Sequence, residues 1–201
     1  YIVLLQCAWT LSFSNEIIWL SVVVMMGLCG ALWTTTLRLL KRCKSDSDPS
    51  FNYWLEIFPF TLHTGWITAA TLVNINVFLV AASAPVTAQF IAAIASLLVL
   101  LTVSRLCTDV DATILVVIAW ALNGIFFELA SLSYDDYNEW DENDESILGS
   151  FSERQIKIAK YGSLLLALDT VLRVIIQKYH QYWRNRSDAP SSTPSDYFPS
   201  N

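Results

Sequence analysis

Four side chains on one apolar stretch have the types and spacing to do chemistry together. In the run from Asn52 to Ala82, NYWLEIFPFTLHTGWITAATLVNINVFLVAA, His63, Trp66, Ala70 and Asn74 follow one another at intervals of three or four residues, and Glu56 and Pro59 extend the series toward its start. At 100° per residue the six fall in a stripe roughly 80° wide, so one face of a helix is polar and aromatic. A histidine within such a helix can ligate a metal or the magnesium or iron of a tetrapyrrole, and an aromatic ring one turn away can stack on the macrocycle. The competing reading is a histidine hydrogen-bonded to a neighbouring helix. Asn76 points the other way, and Pro59 removes one backbone donor, which predicts a kink or a broken first turn.

A second constellation lies near the chain's end. Asp169 and Arg173 are four apart on one helix, a spacing that lets them pair and lowers the cost of a charge in hydrocarbon. An unpaired central aspartate costs about 2.5–3.5 kcal/mol on insertion scales, so Asp169 is expected to face the bundle interior. It reads either as a structural ion pair or as a proton or ion relay with Glu56 or Glu128. Glu128, after Trp120, Asn123 and Phe127, is a candidate pigment ligand or an interfacial carboxylate. The run Tyr134 to Glu145 carries seven acidic residues without the order of a calcium loop, so it reads as a solvated acidic loop or a contact for a basic partner.

The elements that must hold these groups are membrane helices. The chain has 201 residues, 54% of them hydrophobic and 15% charged, with a mean hydropathy of +0.45. Its apolar residues come in long blocks: Val22 to Leu37 and Val86 to Ser104 contain no charge. Five full crossings are expected, at Ile17 to Leu40, Asn52 to Ala82, Val86 to Ser104, Ala112 to Ser131 and Ile156 to Lys178. Tyr1 to Phe13 is too short to span and makes one partial N-terminal helix, closed by a turn at Ser14, Asn15 and Glu16. Because the chain starts at Tyr1 with no basic leader, it is expected to be processed or to begin partway. The fold class is therefore an all-α, polytopic transmembrane bundle. Gly27 with Ala31 and Ala92 with Ser96 are small-residue pairs that suit close helix contacts.

Charge sets the orientation. Alternating crossings put Arg38, Lys41, Arg42, Lys44, Arg105, Arg173, Lys178, Arg184 and Arg186 on or toward one side and Arg154, Lys157 and Lys160 on the other. The basic side, with the C-terminus, is then the cytoplasm-, matrix- or stroma-like side. The membrane itself is left open between plastid thylakoid, mitochondrial and plasma membrane. Tyr134, Tyr137 and Trp140 on one side, and Tyr179, Tyr182 and Trp183 on the other, suit interfacial aromatic belts. The cysteines Cys7, Cys29, Cys43 and Cys107 have no metal-ligand spacing and are expected to be free thiols. No nucleophile motif, phosphate-cradling loop or catalytic carboxylate pair occurs, so no enzyme is expected. Nucleic acid is not expected either, since anionic lipid explains the Arg38 to Lys44 cluster.

Two segments resemble the tryptophan-rich sensory protein family, also called TspO or the translocator-protein family. Leu4-Leu5-Gln6-Cys7-Ala8-Trp9, with Ser12-Phe13 and the Ile17 helix, is similar to its LNxxWxxxFF helix end and fourth crossing. Trp66, Ala70 and Asn74 match the W-xxx-A-xxx-N pattern of its fifth. Pro59-Phe60-Thr61 and Gly65-Trp66-Ile67-Thr68 resemble a divergent branch with further helices after this point. Gln6 stands where the family has Asn, and the family's first two crossings, with their WxPP signature, do not occur in the chain. The resemblance covers roughly the first 80 residues and divides the chain into TspO-like helices at 1–82, additional helices at 83–178 with the acidic loop 132–152, and a polar tail at 179–201.

It implies a non-enzymatic protein that binds a hydrophobic or tetrapyrrole ligand, porphyrin or chlorophyll, through His63, Trp66, Ala70 and Asn74. The alternative is an accessory subunit of a larger complex, such as a photosystem with its antenna, contacting chlorophyll, carotenoid and lipid. A secondary transporter using Asp169 and Glu56 is the third. The expected partners are membrane lipid and other transmembrane subunits or further copies of the chain.

Overall fold

The computed structural model describes residues 1–45, 53–107, 111–131 and 151–187. Among them the chain is all helix: α1 (Ile2–Ser14), α2 (Ile18–Ser45), α3 (Tyr53–Glu56), α4 (Phe58–Ala81), α5 (Val86–Leu106), α6 (Ala112–Ser131) and α7 (Glu153–Ser187). Among the described residues four stretches are long and apolar enough to cross a bilayer, namely Ile18–Cys43, Tyr53–Ala81, Val86–Leu106 and Ala112–Ser131. The chain is thus an integral, multi-pass membrane bundle. α7, the fifth crossing expected from the sequence, has 35 residues, but Lys160, Asp169, Arg173 and Lys178 interrupt its apolar run. Its case rests on length and on its packing along α6, the most extensive helix pair of the bundle. The acidic run with Tyr134, Tyr137 and Trp140, and the tail beyond residue 187, lie outside the described residues.

Proline and local backbone geometry set the boundaries. The stretch from Tyr53 to Ala81 breaks at Ile57, so α4 begins with Pro59 in its first turn, where the missing N–H costs nothing. Two tight turns close α1 and α4 in the same way. Glu16 (φ 60°) and Ser83 (φ 50°) take the left-handed conformation. Beyond them Ile17 N–H donates to Ser12 O at 2.9 Å and Ala84 N–H to Leu79 O at 3.0 Å, the bonding of a Schellman motif.

α4 sits between two apolar cores. On one side Ile67 joins Met25, Leu28 and Leu32 of α2, with Ile2, Leu5 and Trp9 of α1 packed against them. On the other, Ala69 joins Leu97 and Leu100 of α5, Ile114, Leu115, Ile118 and Leu122 of α6 and Ala167 of α7. Gly65 permits the close approach of α4 and α6, since a Cβ there would lie 3.0 Å from Val117 Cβ and 3.4 Å from Ile114 Cα. The small-residue pairs read from the sequence behave differently. Ser96 accepts from Asn76 Nδ2 at 2.9 Å and so serves the α4–α5 contact, whereas Gly27 is exposed, with nothing within 4 Å of a Cβ built on it.

Candidate functional site

The stripe on α4 is divided among three environments because a 3.6-residue period brings its members to different neighbours. Trp66 is 46% exposed on the lipid-facing surface, and its indole lies against that of Trp120 on α6, with centroids 5.2 Å apart and planes tilted by 40°. His63, half-buried one turn earlier, has no hydrogen-bond partner among the described residues. Ala70 packs against the α2 cluster. Asn74 is 4% exposed; its Oδ1 accepts from Ser21 Oγ of α2 at 3.2 Å, and its Nδ2 is buried without a partner.

The sequence did not disclose how α2 and α4 are joined. Trp33 Nε1 donates to Thr68 Oγ1 at 3.0 Å, and the hydroxyls of Thr36 and Thr64 lie 2.7 Å apart, so with Ser21 and Asn74 they form a hydrogen-bonded ladder along the interface. Threonine is ambiguous in a membrane sequence because it also satisfies itself on its own helix, as Thr68 and Thr71 do toward Thr64 O and Ile67 O. Two other buried atoms without partners, Gln6 Oε1 and Trp9 Nε1, lie one turn apart on α1. Trp9 and Ala70 pack against the same Met25, Leu28, Leu32 and Ile67 cluster, so α1 and α4 flank one wall of α2 with polar atoms still to be satisfied. The Leu4 to Trp9 pattern was the signal for that pair.

Near the basic end, Tyr53 Oη donates to Asp111 Oδ2 at 2.7 Å, and Asp111 Oδ1 accepts from Thr113 N–H at 2.7 Å as the cap of α6. Asp111 is 6% exposed, and its neighbour Cys107 is 3% exposed. Burial, with the charge of Asp111 adding to it, pushes the Cys107 thiol up to about 11. All four cysteines are free.

Asp169 pairs with Arg173, whose Nε lies 2.8 Å from Oδ2, and a third partner joins from α5: Arg105 Nη2 is 3.5 Å from each carboxylate oxygen. Asp169 was expected in the bundle interior; instead it sits at the α5–α7 seam, 32% exposed, because the two arginines offset its charge there. Glu56 and Glu128 are exposed, and neither forms an ion pair among the described residues, so no chain of carboxylates links them to Asp169. A cleft of about 300 Å³ opens between α6 and α7, walled by Val116, Trp120 and Asn123 on one helix and Val171, Val174 and Ile175 on the other. Trp120 therefore separates this cleft from Trp66. Among the described residues no group of three or more His, Cys, Asp or Glu side chains could hold a metal ion.

The family model for TSPO-like protein matches residues 1–135. The chain belongs to the TSPO-like protein family. The match runs past Ala82 to take in α5 and α6 and stops before α7, a wider span than the two segments that carry the resemblance in the sequence. Comparison with curated proteins and with solved structures finds no match. The TSPO-like frame thus includes the Trp9, His63, Trp66, Ala70, Asn74 and Trp120 positions, while the ion pair between Asp169 and Arg173 lies on the helix outside it.

Proposed function

We propose that this TSPO-like protein is non-enzymatic and binds a flat hydrophobic ligand of the tetrapyrrole class, porphyrin or chlorophyll, along the edge of α4. The observation that carries the reading is His63, without a hydrogen-bond partner among the described residues, one turn from the exposed Trp66 and Trp120 pair. An imidazole in that position can ligate the central metal of a macrocycle whose face lies on the indoles. The chemistry that such a group supplies when bound is absorption of visible light. Asn74, buried against Ser21 of α2, lies off this edge and serves the α2–α4 interface.

The test is an absorption spectrum of the protein purified gently from its native membrane. A Soret or chlorophyll band that His63→Ala removes supports the site, and a small colourless particle overturns it.

A second reading, an accessory subunit holding pigment, carotenoid and lipid in a larger assembly, is favoured by one feature of α7. Val174 lines one cleft with Val116, in the first half of α6, and Lys160 lies over the Phe126 ring near its end, so the 35-residue α7 runs on past the 20-residue α6 toward the C-terminus. Beyond Lys178 about nine residues, roughly 13 Å of helix at 1.5 Å per residue, present exposed Tyr179 and Tyr182 with Arg184 and Arg186. The apparent size of the purified particle separates the readings: a subunit stays with its complex in mild detergent. In either case the uneven basic residues support a C-terminus on the cytoplasm-, matrix- or stroma-like side. Transport is the weaker account, because it needs the carboxylate chain that Glu56 and Glu128 do not form with Asp169.

A further inference from the structure

We propose that Arg105 and Arg173, sharing Asp169, hold the phosphate of an anionic phospholipid at the α5–α7 seam. The carboxylate is already taken from within its own helix: Arg173 approaches with Nε at 2.8 Å and Nη2 at 3.2 Å, the side-on fork geometry. Arg105 adds only Nη2, at 3.5 Å from either oxygen, the outer limit of a hydrogen bond. Among the described residues its Nε and Nη1 have no partner, and its side chain is 53% exposed. Among the described residues, two guanidiniums against one carboxylate leave the cluster with one uncompensated positive charge.

That charge is presented to lipid. Arg105 lies in the last turn of α5, whose C-terminal end is on the side where the basic residues collect, and an arginine there reaches along its stem toward the headgroups. The nearby anions are phosphates, whose oxygens match the planar fork of a guanidinium better than the point charge of an ammonium. Exposed Leu98 on α5 and Leu165 and Leu168 on α7 lie on the hydrocarbon side of the cluster, where the acyl chains of the same lipid would run. Beneath it the two helices meet where Leu97 Cδ1 lies in ordinary contact range of Gly162, 3.7 Å from a Cβ built there. A phosphate oxygen could equally come from free phosphate. The half-exposed guanidinium beside exposed leucines favours the lipid.

The experiment uses the full chain in nanodiscs of phosphatidylcholine with and without phosphatidylglycerol, reading lipid retained by native mass spectrometry and the thermal midpoint. Wild type is expected to retain phosphatidylglycerol in preference to phosphatidylcholine. Arg105→Gln should lower that preference about fivefold, the factor for one basic residue near an anionic surface. Asp169→Asn should raise it, because Arg173 is released to the phosphate; a purely structural ion pair would lose stability there with no gain of lipid. Arg105→Gln removes only a long contact at a half-exposed position, and Arg105→Lys, which keeps charge but not the fork, should retain part of the preference in a protein with unchanged tryptophan fluorescence. The proposal is overturned if the preference is unchanged in Arg105→Gln, if Asp169→Asn lowers it, if inorganic phosphate alone reproduces the shift, or if the variant instead sheds a co-purifying protein.

Discussion

Gly65→Ala is expected to destabilise the bundle, although alanine is the better helix former, and the reason is geometric. The added methyl would sit 3.0 Å from Val117 Cβ, 3.2 Å from Val117 Cγ1 and 3.4 Å from Ile114 Cα. Carbon atoms pack best at about 3.5–4.0 Å, so α6 would have to give by a few tenths of an ångström. A χ1 rotation could move Val117 Cγ1, but Val117 Cβ and Ile114 Cα are fixed by the backbone. Overpacking of this kind costs about 1–3 kcal/mol, against a propensity gain of about 1 kcal/mol for replacing glycine within a helix. The net expectation is a loss of about 0–2 kcal/mol, larger for Gly65→Leu. Gly27→Ala is the matched control: its Cβ meets nothing within 4 Å, so only the propensity gain remains. Thermal unfolding in detergent, followed by intrinsic fluorescence, measures both. Trp66 adjoins Gly65 in sequence and Trp120 lies one turn beyond Val117, so the pair at 5.2 Å should separate and its emission change in Gly65→Ala alone. If Gly65→Ala raises the midpoint as Gly27→Ala does, with emission unchanged, the close approach of α4 and α6 is not what Gly65 provides.

Other expectations follow from particular contacts. Thr36→Val and Thr64→Val, combined in a double-mutant cycle, should show a coupling of about 0.6 kcal/mol and no more than about 1.7, the range for interhelical hydrogen bonds in lipid. Ser83→Gly should stabilise by about 0.5–1 kcal/mol in thermal unfolding, because Ser83 holds a left-handed conformation that glycine adopts without penalty. Cys107 should resist a maleimide at pH 8 while exposed Cys7 reacts, with labelling counted by intact mass. Its thiol is raised in the folded state, from 9.0 to about 11, so the native protein holds that proton more tightly than the unfolded chain. The stability this contributes is complete below pH 9.0 and is lost as the pH climbs through about 11.

Much of the fold could be read from the sequence because hydrocarbon is an exacting solvent. Charge-free runs such as Val86 to Ser104 have no reasonable conformation but helix when water is excluded, and the structure runs α5 from Val86 to Leu106. The break before Pro59 and the turn at Asn15 were equally local, and each was visible as a residue type. What the sequence could not give was the partner of each polar group. His63, Trp66, Ala70 and Asn74 share a stripe on paper, yet whether a stripe meets a ligand, a helix or lipid depends on residues far along the chain. Trp120, Ser21 and Arg105 carry no local mark of meeting Trp66, Asn74 and Asp169. α7 shows the opposite difficulty: its charges suit no simple composition rule, and only the α5–α7 seam explains how Asp169 is accommodated.

The division of α4 also bears on where a ligand would enter. Its α2 face is closed by the hydrogen bonds of Thr36, Trp33 and Ser21, and its α6 face by Gly65 against Val117. Between them runs a lipid-facing edge on which Leu62, Trp66 and Val73 are 44%, 46% and 52% exposed. A planar ligand reaching His63 must therefore come from the bilayer rather than through the bundle, and its first contact would be the Trp66 and Trp120 indoles. Trp120→Leu, which keeps apolar area but removes one ring, should then slow ligand uptake from loaded vesicles more than it weakens the final complex, whereas His63→Ala should do the reverse. Stopped-flow quenching of tryptophan emission by a porphyrin in the vesicles reads the uptake rate, and equilibrium titration reads the affinity. If both variants change the rate and the affinity in equal proportion, the indoles and His63 act in one step and the indoles are not a separate entry contact.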